Sequence, residues 1–446
     1  MKKRILLLFS LVAILTVCIF AFSSCGGGEK CTFTVNTGLN HIGEPMLDVH
    51  YMQEGDPTPE VEIPTKEGYR FVGWDKEIPE VLPAGELTVN AVWELLDTPE
   101  EAFVFKNGEI ERLAPDYLDI LGLKIPAEIG GVPVTKIGLS AFMSKNFIDV
   151  IIPEGVTVIR KDAFAYTSVY NEFKIPDTVT TIEESAFRGS DASTIPLPKN
   201  LKSIGRWAFE KCENLKSVCI PAKVKEIGAG AFRNCRALLE FTVAEGNTAY
   251  KAIDGDLYNL AGTELIQYAI GKTDTLYEAP STVTEVTDYA FQGTRNLKKV
   301  HFSSLNTVSA KAFFDCYALE EIKVSGLESD IYQTDTDGIL YKVVDNERLV
   351  LICWPKAKRG PVTVKSGVKE IAEFAFYNCK DLGVITLPIS VDTIASHAFS
   401  GCDNLSGLSF DGTMDKFEAI EKGEFWNSTV PATYVNCSDG HYNINP

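Results

Sequence analysis

Leu215-Lys216-Ser217-Val218-Cys219-Ile220-Pro221, then Val224-Lys225-Glu226-Ile227-Gly228, then Ala231-Phe232 and Cys235, is the stretch that decides the fold. In the first segment Leu215, Val218 and Ile220 point to one side of a short strand and the residues between them to the other. Pro221 carries no N–H, so it cannot extend a parallel ladder and ends the strand. Val224 to Gly228 make the return path, with Gly228 expected at a backbone turn that a Cβ would oppose. Ala231 lets the chain come close, and Phe232 fills the interior.

Working outward, the Ala-Phe pair recurs with its Phe at 142, 164, 187, 209, 232, 291, 313, 376 and 399. The intervals are 22, 23, 22, 23, 59, 22, 63 and 23 residues. A self-similar period of this size marks a solenoid, in which each repeat buries its apolar face only against its neighbours. The two long intervals are one period plus an insertion in an unbroken stack. The phenylalanines are expected to form a continuous spine. Ile175-Pro176 before Val179, Ile182 and Phe187, and Leu387-Pro388 before Val391, Ile394 and Phe399, keep the same order. The 187–209 unit has a shortened strand segment, and Ser303 stands where Pro is usual.

This "IP-x-x-V-x-x-I-G-x-x-A-F-x-x-C" unit resembles the BspA-like leucine-rich repeat of bacterial surface proteins. Ile125 to Val134 look like that family's first repeat, and Phe410 to Gly440 like its ending. The resemblance spans residues 103–446 and implies a mainly β, right-handed coil with parallel strands on one side and short turns or helical pieces on the other. Within it, Phe103 to Ile110, with Asn107-Gly108 at the turn, reads as a hairpin covering the open end of the stack. Hairpin insertions are expected at about 244–278 and 325–362, and a C-terminal cap at 410–446.

Residues 31–94 lack the repeat. Thr32-Phe33-Thr34-Val35, Gly68-Tyr69-Arg70-Phe71-Val72-Gly73-Trp74 and Leu87-Thr88-Val89-Asn90-Ala91-Val92-Trp93 read as strands of a small one-sided sheet. The pattern resembles the Listeria–Bacteroides (internalin B-type) repeat, which implies a β-grasp-like module with Trp74 and Trp93 in its core. Residues 95–102 read as an acidic linker.

Lys2, Lys3 and Arg4 precede an apolar run from Ile5 to Phe22, then Ser23, Ser24 and Cys25. This resembles a bacterial lipoprotein signal over residues 1–24, with Cys25 as the lipid attachment point and residues 25–30 as a tether. Cys18 is a weaker attachment candidate, and an uncleaved membrane-spanning helix is the alternative. The 446-residue chain holds 42 Lys and Arg against 61 Asp and Glu, a net charge of −19. Loss of residues 1–24 takes it to −22, which argues against nucleic acid or anionic headgroups as partners.

Chemistry finds little footing. The five histidines form no HExxH pair, and there is no nucleophile elbow, P-loop or dinucleotide fingerprint. Asp254, Asp256, Asp335 and Asp337 invite a calcium reading but lack EF-hand spacing; no metal or cofactor is expected. Cys212, Cys235, Cys316, Cys379 and Cys402 each follow the repeat Phe by three places and read as small buried hydrophobes. Cys212/Cys235 and Cys379/Cys402 should lie on adjacent turns, yet parallel side chains point the same way, against bonding. Unpaired thiols in an exported chain point to an anaerobic bacterium.

The expectation is therefore a non-enzymatic protein exported and lipid-anchored to the cell envelope, at the outer membrane or cell surface. The resemblance implies adhesion to extracellular or host-surface proteins. The outward strand residues Glu172, Lys174, Ser217, Cys219, Glu240, Thr242, Lys299, His301, Glu321 and Lys323 form the candidate binding face. An envelope spacer without a specific ligand, or a surface glycan-binding protein, are the alternatives.

Overall fold

The computed structural model describes residues 29–40, 43–325, 331–345 and 348–444. The expected signal, Cys18, Cys25 and most of the tether lie outside them. The chain divides into two compact units, a smaller one within the first 92 residues and a larger one built on Trp93 onwards together with Leu39–Glu44 and Thr65–Phe71. Among the described residues no helix is long and apolar enough to cross a membrane.

The N-terminal sheet holds strands Lys30–Leu39, Pro45–Gln53, Tyr69–Trp74 and Gly85–Leu95, in the order second, first, fourth, third. The two central strands run parallel, from Cys31 opposite Gly85 to Asn36 opposite Asn90. Cys31, Phe33, Val35, Leu82 and Val89 make its core, because alternate residues of the first strand point to the same face. Trp74 packs against that core while half-buried. Trp93 is half-buried as well, with its ring against the edge of Phe71, so neither tryptophan is enclosed as fully as the sequence implied.

In the larger unit most rungs contribute to two parallel ladders. The L-x-x-V-x-I segments form the first: Gly122–Lys124, Asn146–Ile151 and Ser168–Lys174, then Ser217–Ile220 and Glu240–Val243, then Leu276–Glu278, Lys299–Phe302 and Glu321–Val324. A fourth group holds Val362–Thr363, Val384–Leu387, Gly407–Phe410 and Tyr434–Cys437, with Gly440–Asn443 turning back antiparallel at the edge. The return path is also a ladder, made of two-residue strands such as Thr181–Ile182, Ser203–Ile204 and Glu226–Ile227. At its start the Asn107-Gly108 hairpin pairs through Glu109 and Ile110 with Lys136 and Ile137. The one α-helix among the described residues, Met414–Glu418, is capped by the Thr413 side chain.

The phenylalanine spine is internal. Phe142, Phe164, Phe187, Phe209 and Phe232 are at most 1 % exposed, and successive rings stack at 5.2, 5.5, 5.3 and 5.3 Å. Burying each ring contributes about 1.5–3 kcal/mol. The spine continues through the insertions with different rings. Tyr268 N–H donates to Ala290 O and Trp354 N–H to Ala375 O, the same bond that Phe164 N–H makes to Ala186 O. The hairpins are thus built into rungs: their last strands, Glu264–Gln267 and Arg348–Cys353, pair parallel with Glu285–Val286 and Val368–Ile371.

A backbone device repeats beside most of the repeat phenylalanines. Residues two before and two after the aromatic take left-handed φ, as at Asp162 and Tyr166 (55° and 56°) or Trp207 and Lys211 (57° and 60°). Outside glycine this costs about 1–2 kcal/mol per residue. It turns alternate N–H groups along the stack, so that Asp162, Phe164 and Tyr166 bond to carbonyls of the next rung at 3.1, 2.7 and 2.6 Å. Gly228 is not among the left-handed residues. Its role is close approach: a Cβ there would lie 2.3 Å from the Arg206 nitrogen of the preceding rung, which corrects the turn expected from the sequence.

Candidate functional site

The outward residues of the first ladder sit where the alternation places them, and the structure gathers them into three groups. Glu172 and Lys174 lie on Ser168–Lys174, both exposed, with Lys174 Nζ 2.8 Å from Glu172. Ser217 faces Glu240 and Cys219 faces Thr242 on adjacent strands, all four exposed. Lys299 faces Glu321 and His301 faces Lys323.

This third group is internally neutralised. Lys299 Nζ is 2.8 Å from Glu321, and His301 lies 3.3 Å from Glu321 and 3.9 Å from Glu278. The hydrogen bond from Lys299 holds the Glu321 carboxyl below its ordinary range. Exposed ion pairs of this kind contribute about 0–1 kcal/mol. Lys323, exposed on the same group, takes part in none of these pairs.

The gap between the first two strand groups is the distinctive feature. The shortened 187–209 unit forms no strand on this face; residues 192–198 run without ladder pairing. Its Thr194, Ile195, Pro196 and Leu197, with Ser217, Cys219, Pro221, Ala222 and Ala244, line a hollow of about 590 Å³. Sequence reasoning placed Ser217 and Cys219 on the face but missed the apolar floor beside them. The short strand segment was the available signal. The fourth strand group was also missed; there exposed Tyr434 packs against His441 with ring centroids 4.8 Å apart.

The aspartates of the calcium reading serve their own hairpins. Asp256 is buried, accepting from Ala269 N–H at 2.9 Å and Lys272 Nζ at 2.8 Å. Burial pushes its carboxyl up to about 6. Asp335 accepts from Asp337 N–H, Ile339 N–H and the Tyr341 hydroxyl. Among the described residues no three His, Cys, Asp or Glu side chains are grouped to hold a metal.

All nine described cysteines are free thiols. The repeat cysteine does more than fill space: Cys212, Cys235, Cys316 and Cys402 donate to Phe187, Phe209, Phe291 and Phe376 carbonyls at 3.0–3.1 Å. Thr167 makes the same bond to Phe142 O at 2.8 Å. Burial raises the Cys235 and Cys402 thiols and pushes Cys316 up to about 11, which keeps the donating proton in place.

A family model described as the BspA type leucine rich repeat region matches six copies over residues 135–253, 273–334 and 358–445. The two unmatched gaps fall on the insertions. Among solved structures, a leucine-rich repeat protein from Eubacterium ventriosum is 21 % identical with a TM-score of 0.50, over 73 % of this chain and 89 % of that one. The pneumococcal vaccine antigen PcpA is 22 % identical with a TM-score of 0.45, over 74 % and 80 %. A leucine rich cell surface protein from Faecalibacterium prausnitzii is 25 % identical with a TM-score of 0.43, over 70 % and 79 %. No curated protein matches the chain.

Proposed function

The chain belongs to the BspA type leucine-rich repeat family, and from that premise we propose that it is a non-enzymatic surface protein that binds another protein through its first ladder. The observation that carries this reading is the apolar hollow where the strand face is interrupted beside Ser217 and Cys219. A site that excludes water at its centre and is rimmed by polar groups is where binding energy concentrates. Ile195, Pro196, Leu197 and Ala222 supply the floor, while Thr194, Lys199, Ser217 and Cys219 supply the rim; Glu240 and Thr242 stand opposite Ser217 and Cys219 on the next strand. The partner is an extracellular or host-surface protein offering an apolar side chain to the hollow. Cys25 is the proposed lipid attachment point, and the free thiols fit an envelope facing little oxygen.

Binding of residues 31–446 to panels of matrix proteins and of glycans, in physiological salt, tests the proposal. Saturable binding to a protein that Ser217→Arg weakens at least about tenfold, with an unchanged thermal melt, supports it. Binding that Ser217→Arg leaves intact refutes the hollow as the site. No saturable binding to either panel puts the spacer reading ahead. Incorporation of labelled palmitate, lost in Cys25→Ser, tests the anchor.

A further inference from the structure

The first insertion leaves a gap in the stack that no other rung before it has. In Phe142, Phe164, Phe187 and Phe209 the N–H donates to the alanine carbonyl of the next rung at 2.7–2.8 Å. Phe232 N–H has no acceptor among the described residues, because the rung after it begins only at Glu264–Gln267. Gly230 N–H is likewise unpaired among the described residues, as is Trp207 N–H one rung earlier, whereas Ser140, Asp162 and Ser185 at the same place bond forward at 3.0–3.1 Å. The apolar interior divides here too, with Phe232 in one cluster and Tyr268 in the next.

Between the two rungs lies a cleft of about 390 Å³, lined by Gly228 to Phe232 on one side and by Glu264, Ile266 and Gln267 on the other. The size falls within the range of about 300–1,000 Å³ typical of small-molecule sites. Gln267 is 3 % exposed; its amide nitrogen donates to Tyr268 O and Ala290 O, while its side-chain oxygen has no partner. A polar group held this way is met by a ligand or by water. The Glu264 carboxyl is half-buried and raised by that burial and by Glu285. Lys225 balances its charge, so the lining as a whole is close to neutral.

We infer that this cleft binds a single neutral sugar ring. Two main-chain N–H donors, a carboxylate and an amide oxygen share the lining of the cleft with Ile227, Ile266, Ala229 and Tyr250. A pyranose offers what that arrangement needs: hydroxyls that both accept and donate, around a ring with an apolar face. A simple carboxylate or phosphate would bring an unbalanced charge into a lining that is already close to neutral, and an aliphatic ligand would leave the N–H groups unpaired.

The inference is independent of the strand-face proposal, since the cleft shares no residue with the hollow. The test is an amide-resolved NMR titration of deuterated residues 31–446 with methyl β-glucoside, methyl β-galactoside and N-acetylglucosamine, and with glycerol as a polyol control. The expected result is saturable shifts of the Gly230 and Phe232 amides with at least one sugar and none with glycerol. Glu264→Gln should weaken that binding about tenfold, and Ala229→Phe should abolish it with the thermal melt preserved. Flat titrations with all three sugars, equal shifts with glycerol, or binding unchanged in both variants would overturn the inference.

Discussion

Phe209→Ala is the most direct test of the spine. Phe209 is 1 % exposed, and its ring is stacked between Phe187 and Phe232 at 5.3 Å on each side, with interplanar angles of 1° and 2°. Emptying such a site costs about 3–5 kcal/mol through lost transfer energy and the cavity left behind. Each parallel ring pair adds about 0.5–1.5 kcal/mol beyond burial, and the flanking rings are pinned by their own rungs and cannot close the hole. The upper half of the range is therefore expected, about 4–5 kcal/mol. Solenoid stability is a sum of rung and interface terms, so the loss should be local. Hydrogen exchange should speed up by roughly three to four orders of magnitude at Phe187, Phe209 and Cys212, whose N–H groups bond to Ala208 O, Ala231 O and Phe209 O. Exchange in the strands around Thr393–Ile394 should change little. Ser217→Ala, on the exposed face, should stay within about ±0.5 kcal/mol. A loss under about 1 kcal/mol for Phe209→Ala, or one spread evenly over the chain, would refute the reasoning.

Gly205→Ala should destabilise by about 1–3 kcal/mol in urea unfolding, since its Cβ would lie 2.5 Å from the Glu183 carbonyl carbon; a neutral outcome would show that the rungs can move apart. Cys212→Ser should keep most of the stability lost in Cys212→Ala, because a hydroxyl can donate to Phe187 O as Thr167 does to Phe142 O; equal losses would return the cysteine to a mere space-filler. Under native conditions alkylation should be fast at exposed Cys219 and slow at Cys212, Cys235 and Cys402, a contrast that mass mapping reads directly. Asp256, raised by burial to about 6 from an ordinary 3.8, binds its proton more tightly folded than unfolded. Its contribution to stability should therefore grow as pH falls from about 6 to 4 and be lost as pH rises through 6. Asp256→Asn should flatten that part of the stability–pH curve, and an unchanged slope would assign it elsewhere.

The stacked coil was legible because its signals are local: the L-x-x-V-x-I alternation, the strand-ending Pro221 and the recurring Phe each report on a residue's own environment. What escaped was carried by partners far along the chain. Tyr268 and Trp354 take the place of Phe through main-chain bonds to Ala290 and Ala375, and nothing in their own neighbourhoods spells the motif. Left-handed Trp207, Lys211 and Phe374 contradict the expectation that such φ values belong to glycine; bonding between rungs outweighs the local preference. Gly228 was flagged for a turn when the constraint is the backbone of Arg206 lying against it. The ten face residues followed from alternation alone, but the hollow beside Ser217 depends on a strand that does not form, and a missing element leaves only a faint trace in sequence.

The interior of the coil is divided into three apolar blocks: one ending near Phe241 and Ala269, one from Tyr258 to Leu340, and one from Ile339 to Val435. Under tension such a molecule has seams. A pulling force applied between its ends should rupture the blocks one after another, the hairpins at the two insertions giving way first, so that extension comes in discrete steps. If the chain is anchored and grips a partner as proposed, those seams would let it absorb a jolt without losing its hold.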